Sequence, residues 1–265
     1  MKLLIKIGGT LVDDEARRHA IAGQLAELAR THQVVAVHGG GKQLTRFLEE
    51  RGVKSSFVRG LRVSDPAVID ALTKVIGGSV NKQLVSAIIK SGQRALGISG
   101  IDGPLTLATQ LDPALGRVGQ PVQTNGQIFD LLLSAGYVPV VACIAGDDHG
   151  NIYNVNADQM AVSCATGWGA DRLLFLTDVA GVKGGNGELL PELTPAGTAE
   201  LVKTGVAHGG MHAKLDAASL ALQKGVPEVV IAAGHEPNVC IRLVNGESLG
   251  TRLVPGIPAR EGSAA

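Results

Sequence analysis

Short, continuously apolar runs alternate with amphipathic stretches along most of the chain, and glycines stand at many of the changeovers. The runs at 3–7 and 34–37 have the length and aliphatic content of strands buried on both faces of a parallel sheet. Helical periodicity follows each of them, over 13–30 and 42–51. Residues 56–63 read as a short hairpin carrying Arg59 and Arg62, and 65–91 as a long helical stretch loosened near Gly77-Gly78. Its apolar positions Val68, Leu72, Val75, Val80, Leu84 and Ile88 recur at three- to five-residue steps, with Ile69 and Ile76 widening the stripe. So wide a stripe suits either an internal core or a seam between two copies. A strand is expected at 94–98, then an irregular excursion with glycine and proline over 100–126 that could cover a ligand. A helix at 125–135, a strand at 137–141 and a hairpin over 142–154, with Asp147-Asp148-His149-Gly150 at its tip, lead to a helix from 156 to about 166.

Beyond Asp171 the pattern predicts a strand at 173–176, a glycine-rich loop over 177–187, a helix at 195–203, a helix over 211–224 and a strand at 229–232. This alternation predicts an α/β fold, a three-layer αβα sandwich around an open, mainly parallel central sheet. The change of pattern near 168–170 divides it into lobes of 1–169 and 170–255, with a small, polar and disordered tail expected over 256–265.

Composition removes several function classes. Lys and Arg number 24, Asp and Glu 24, and no basic run occurs, which argues against a general nucleic-acid binder. Aromatic residues make up 3% of the chain, too few for base-stacking platforms. No apolar stretch has bilayer length and the chain enters a strand at once, so a cytoplasmic protein without membrane contact is expected. Cys143, Cys164 and Cys240 are widely spaced in apolar surroundings and read as buried reduced thiols.

The candidate chemistry starts at two glycine turns, Lys6-Ile7-Gly8-Gly9 and His38-Gly39-Gly40-Gly41, each between a predicted strand and a predicted helix. Helix N-termini present free N–H groups, and glycine admits an anion close to that backbone; two such turns, the first led by a lysine, point to a polyphosphate. Gly41-Lys42 is no Walker loop, Gly97-Ile98-Ser99-Gly100 lacks the last glycine of a nucleophile elbow, and Gly167-Trp168-Gly169 lacks the third glycine of a dinucleotide fingerprint. The histidines show no zinc spacing. What remains is a polar set at predicted strand ends and helix starts: Lys6, Gly8, Gly9, Gly40, Gly41, Arg62, Asn154, Asp158, Asp178 and Lys214.

Six motifs then occur in order: Lys-x-Gly-Gly at Lys6, His-Gly-Gly-Gly at His38, Gly-Leu-Arg-Val at Gly60, Asn-Val-Asn-Ala-Asp at Asn154, Thr-Asp-Val-x-Gly at Thr177 and Gly-Gly-Met-x-x-Lys at Gly209. Over roughly residues 2–254 the chain resembles the amino acid kinase family, most closely its members that act on N-acylated glutamate. The resemblance implies phosphorylation by ATP of the side-chain carboxylate of N-acetyl-L-glutamate, with Mg²⁺ arriving on the nucleotide. It gives Lys6 and Lys214 the screening of the phosphoryl group, assisted by the backbone of Gly8, Gly9 and Gly41, and makes Asp158 their organiser. Arg62 would fork onto the α-carboxylate, Asn154 would bond the acylamino group or the carboxylate, and Gly40 and Gly41 would offer N–H groups to the substrate. The nucleotide would rest on Asp178, Val179, Gly181, Lys183, Gly210 and Met211. His38 would pack or hydrogen-bond behind its turn, while Arg59 and Lys42 would be surface residues.

Two stretches depart from the family pattern, Ile101-Asp102-Gly103 and His212-Ala213. N-succinylglutamate and carrier-linked 2-aminoadipate are alternative substrates, and a non-catalytic amino-acid or nucleotide sensor is the reading from another class. Members inhibited by arginine carry a helix before the first strand; here Leu3 already belongs to that strand, so weak or absent arginine inhibition and no hexameric ring are expected. A homodimer through the 65–91 helix is expected instead.

Overall fold

The computed structural model describes residues 1–256, so the tail expected over 256–265 lies outside the described residues from 257 onward. Strand β1 (Lys2–Ile7) leads through Gly8 into α1 (Gly9–Asp13) and α2 (Glu15–Leu28). The helix expected over 13–30 is broken at its start because Asp14 leaves the helical conformation and caps α2, accepting the Arg17 N–H at 2.8 Å. Next come β2 (Gln33–His38), α3 (Gly41–Glu49), the hairpin β3 (Phe57–Val58) and β4 (Leu61–Arg62), and α4 (Pro66–Leu72). A π-helical segment, Thr73–Val80, joins α4 directly to α5 (Asn81–Lys90).

That π segment accounts for the loosening near Gly77-Gly78. The buried positions step by five from Val75 and Ile76 to Val80 and Asn81, a spacing that only a wider turn keeps on one face. The apolar stripe from Val68 to Ile88 lies in this chain's own core, which overturns its use as a seam between copies. On the outer side of the same helix Lys74, Lys82, Gln83 and Ile89 are exposed.

Strand β5 (Ala95–Ser99) leads into a stretch more regular than expected. The excursion expected over 100–126 holds β6 (Thr106–Gln110) and β7 (Val118–Thr124), paired antiparallel with a bulge between Leu107 and Ala108. After α6 (Gln127–Ser134) and β8 (Val138–Ala142), the expected hairpin forms as β9 (Ile144–Gly146) and β10 (Ile152–Val155). These strands join β6 and β7 in a small sheet that curls until β6 meets β9 at Leu107 and Gly146. Then follow α7 (Ala157–Trp168), β11 (Arg172–Thr177), β12 (Glu192–Leu193), α8 (Pro195–Lys203), α9 (Gly209–Gln223), β13 (Glu228–Ala233), α10 (Val239–Val244) and β14 (Thr251–Leu253).

Among the described residues the main sheet has eight strands in the order β12-β14-β13-β11-β1-β2-β8-β5. Pairing is parallel from β13 to β5, and β14 runs antiparallel to β13. The expected lobes are therefore two halves of one sheet, joined where β1 pairs with β11. In that register Lys6 stands beside Val37 on one side and Phe175 on the other, so the carboxyl ends of three strands finish together. No helix among the described residues is long and apolar enough to cross a membrane. All three cysteines are free and buried, and burial pushes their thiols up, Cys143 to about 11 and both Cys164 and Cys240 to about 12.

The start of α6 presses on the end of α7 through glycine: a Cβ on Gly126 would lie 2.5 Å from the Gly167 carbonyl oxygen and 2.6 Å from the Trp168 Cα. Both are backbone atoms that cannot swing aside. Gly126→Ala is expected to destabilise the protein by about 1–3 kcal/mol, read as a lower denaturant midpoint at unchanged slope.

Candidate active site

A buried carboxylate lies at the centre of the cleft above the sheet. Asn156 caps α7 with its side chain, accepting the N–H groups of Asp158 at 2.8 Å and Gln159 at 3.3 Å, so Asp158 enters the first helical turn, where the dipole favours an acid. Its Oδ1 lies 2.7 Å from Nζ of Lys6, on β1, and its Oδ2 lies 3.7 Å from Nζ of Lys214, on α9. Burial alone would raise the Asp158 pKa, but the charges of Lys6 and Lys214 outweigh it and hold the carboxyl below its ordinary range. The expected catalytic trio is brought together, with the two ammonium groups arriving from opposite halves of the sheet.

The two glycine turns abut. A Cβ on Gly9 would lie 3.8 Å from the Gly41 nitrogen and 3.9 Å from that of Gly40. One assignment needs correcting: the Gly8 N–H donates to the Leu176 carbonyl at 2.9 Å, extending the β1–β11 ladder, so it cannot face an anion. Gly8 has a different constraint, because a Cβ there would meet that same carbonyl oxygen at 3.0 Å. Gly9 and Gly41, as first residues of α1 and α3, keep N–H groups free of intrahelical partners. Arg46 of α3 pairs with Asp13 of α1 and ties the two turns together from outside.

Arg62 is buried beside the second turn. Its Nη2 donates to Thr45 Oγ1 at 2.7 Å and to the Gly41 carbonyl at 3.2 Å, Nη1 donates to Ser55 Oγ, and the guanidinium lies 4.6 Å from the Phe57 ring centre. The forked end expected to be open is engaged with the protein, so a carboxylate there would exchange with Ser55 and Thr45. Asn154 connects to it indirectly: its Nδ2 donates to Ser64 Oγ at 3.0 Å, and that hydroxyl donates to the Arg62 carbonyl at 2.9 Å.

On the other half of the sheet, Asp178 follows β11. Its carboxyl is held below the ordinary range by its own backbone N–H, with the Thr177 hydroxyl, Lys214 and Lys42 adding to the effect against partial burial. Val179 is exposed, while Gly181 is packed so closely that a Cβ would meet Leu189 Cδ1 and Thr251 Oγ1 at 2.8 Å each. Thr251 anchors this loop by accepting the Val182 N–H at 2.8 Å and donating to the Leu190 carbonyl at 2.6 Å. Lys183 bridges to Leu189. Gly210 and Met211 lie in the first turn of α9, which begins at Gly209, two residues before the expected start.

A cavity of about 500 Å³ opens beside the lysines, lined by Arg59, Gly60, Asp158, Gln159, Gly210 and Lys214. Arg59 therefore combines the exposure expected of it with a place on the cleft wall, at a hairpin tip where its φ is 50°. Only the three-dimensional approach of the hairpin to α9 reveals that place. Another cavity, of about 550 Å³, lies at the amino edge of the sheet; there Lys2 already pairs with Asp130 at 3.2 Å and donates its N–H to Asp171 at 2.7 Å. The Lys6–Asp158–Lys214 chain lies away from it, and of the two cavities the first is the one that Asp158 and Lys214 line.

His38 is buried behind the second turn as expected, and burial lowers its pKa to about 4, the Lys82 charge adding to the effect against the Gly39 carbonyl. A histidine held neutral in the folded state is protonated first in the unfolded chain. Its stabilising contribution is complete above about pH 6.5 and declines toward pH 4, a change of about 3 kcal/mol. His38→Asn is expected to flatten that part of the stability profile, measured by urea unfolding across pH 4–7.

Comparison with known proteins places this geometry. The model of the amino acid kinase family matches residues 1–233. The acetylglutamate kinase of Solibacter usitatus is 52% identical over 255 residues, covering 96% of this chain and 99% of that protein. That of Cereibacter sphaeroides is 44% identical and covers 94% and 86%. Among solved structures, N-acetylglutamate synthase from Neisseria gonorrhoeae, complexed with coenzyme A and N-acetyl-glutamate, superposes with a TM-score of 0.86 at 22% identity; the match covers 96% of this chain and 59% of that one. Carbamate kinase from Giardia lamblia bound to AMP-PNP gives 0.71 at 14% identity, covering 96% and 98%. The family model spans most of the sequence and the first two relatives match nearly end to end: the chain belongs to the amino acid kinase family.

Proposed function

We propose that this protein transfers the γ-phosphoryl group of ATP to the side-chain carboxylate of N-acetyl-L-glutamate, forming N-acetyl-L-glutamyl 5-phosphate and ADP in the second step of arginine biosynthesis. The observation that carries the reading is the Lys6–Asp158–Lys214 chain beside two abutting glycine turns. An acceptor carboxylate with a reference pKa near ~4.3 is ionised at neutral pH and needs no general base. One of its oxygens forms the new bond to phosphorus as the bond to the β–γ bridging oxygen breaks, and no proton changes hands.

The barrier is the approach of two anions, and screening with alignment is what lowers it. Lys6 and Lys214 supply opposed positive charge, and Asp158 keeps both long side chains in place. The Gly9 and Gly41 N–H groups support the oxygens. Gly40 and Asn154 hold the acylglutamate, and Arg62 takes its α-carboxylate with the planar fork that suits one. Asp178, Val179, Gly181, Lys183, Gly210 and Met211 seat the nucleotide, whose phosphates carry the Mg²⁺. In this division residues 1–169 bind the acceptor and 170–255 the donor. A cytoplasmic homodimer completes the reading.

A hydroxamate trap with Mg-ATP tests it directly. N-acetylglutamate is expected to give the fastest product formation among N-acetylglutamate, N-succinylglutamate, glutamate and carrier-linked 2-aminoadipate. A different preferred acceptor would replace the substrate, and no activity with any of them would remove the kinase reading. Lys6→Ala is expected to lower kcat by about 10²-fold or more while changing the acceptor KM less, as loss of a transition-state donor does.

A further inference from the structure

Behind the second glycine turn lies a polar pair to which the proposed chemistry gives no task. The Nδ1 of His38 is 2.7 Å from the Gly39 carbonyl oxygen, and its Nε2 is 3.0 Å from Nδ2 of Asn81. That amide nitrogen also donates to the Val140 carbonyl at 2.9 Å, while Oδ1 of Asn81 accepts from Nζ of Lys82 at 3.1 Å. A carbonyl on one side and an ammonium on the other leave Asn81 one orientation, with its NH₂ toward the ring. Nε2 is then the acceptor, and a neutral imidazole carries its proton on Nδ1, directed at Gly39.

The peptide that follows transmits this choice. No described peptide bond is cis, and a trans peptide points its C=O and its N–H in opposite directions. With the Gly39 carbonyl drawn toward His38, the Gly40 N–H turns to the other side, where Gly9 stands across the cleft floor. Gly40 is buried, and its N–H donates to no backbone or side-chain acceptor among the described residues. Glycine on both sides leaves this peptide free of any Cβ that would oppose a flip, so the sequence that lets the turn form does not hold it. The π segment brings the hold into place. Its wide turn sets Asn81 on the buried face, and a Cβ on Gly40 would already crowd Ile76 and Val80 at 3.2 and 3.3 Å.

We propose that His38, kept as the Nδ1–H tautomer by Asn81, is a positioning residue that locks the Gly39–Gly40 peptide with its N–H aimed into the cleft shared by the acceptor carboxylate and the transferring phosphoryl group. This rests on the kinase reading, and one of its tests needs no activity. In the intact protein near neutral pH, ¹⁵N-edited NMR of the imidazole is expected to show a protonated Nδ1 and a bare Nε2. A proton on Nε2 would overturn the inference even in an active kinase. The expected tautomer in a protein without any kinase activity would instead overturn the function, and with it the purpose assigned to the lock.

Two variants separate positioning from packing. His38→Asn sets an amide nitrogen where Nδ1 stands, whereas His38→Gln carries its amide out to the place of Nε2, beyond the Gly39 carbonyl. Both lose the ring, so similar drops in melting temperature are expected. The Asn variant is expected to keep kcat within about fivefold and the Gln variant to lose about 10²-fold, with the ATP KM little changed in either. Equal losses, losses that track melting temperature, or an unaffected Gln variant would overturn the lock.

Discussion

The cleft depends on a charge held out of water. Asp158 is 8% exposed, and a lone carboxylate at that depth would take up a proton sooner than stay ionised. Lys6 and Lys214 keep it charged, and it in turn keeps two flexible ammonium groups at fixed points. Such an arrangement is a poor source of net stability, since desolvation consumes most of what attraction provides. Its value is positional. Each lysine alone has four rotatable bonds and many rotamers; tethered to one carboxylate on a capped helix turn, the pair is reduced to a single arrangement.

The sheet makes that tether possible. Because β1 lies between β2 and β11 in parallel register, the first glycine turn, the second glycine turn and the start of the 178–187 loop leave the sheet at one level. α7 and α9 then place Asp158 and Lys214 above β1 from the other direction. Close packing maintains the spacing: Gly8 against the Leu176 carbonyl and Gly40 against the Ile76 and Val80 side chains leave little room for an added methyl group.

Much of this is legible in the sequence, for physical reasons. Strands buried on both faces are written as uninterrupted aliphatic runs, and turns that approach an anion are written in glycine, so the two turns and their flanking elements stand out. The five-residue step from Val75 to Val80 already records the π segment. By contrast, β6 and β7 are hidden because their sheet is small and partly exposed, β7 carries Gly119 and Pro121, and Gly116 stands just before it, residues that read as loop. β12 and β14 are too short to show a period. The apolar stripe of 65–91 is ambiguous in one dimension, since a core and an interface are made of the same residues. The engagement of Arg62, the spent N–H of Gly8 and the place of Arg59 depend on neighbours distant in the chain.

The Thr251 anchor has a consequence for the order in which the molecule becomes competent. The 178–183 loop is held by a hydroxyl some seventy positions further along, on a strand one place in from the far edge of the sheet. During synthesis the first turn, the second turn and Arg62 can all emerge early, yet β1 lacks its β11 neighbour until residues 172–177 emerge, and the 178–183 loop lacks its tie until Thr251 has left the ribosome. The elements around the two turns can thus be in place while the 178–183 loop is still untied, and the cleft takes its final shape only when one of the last strands docks.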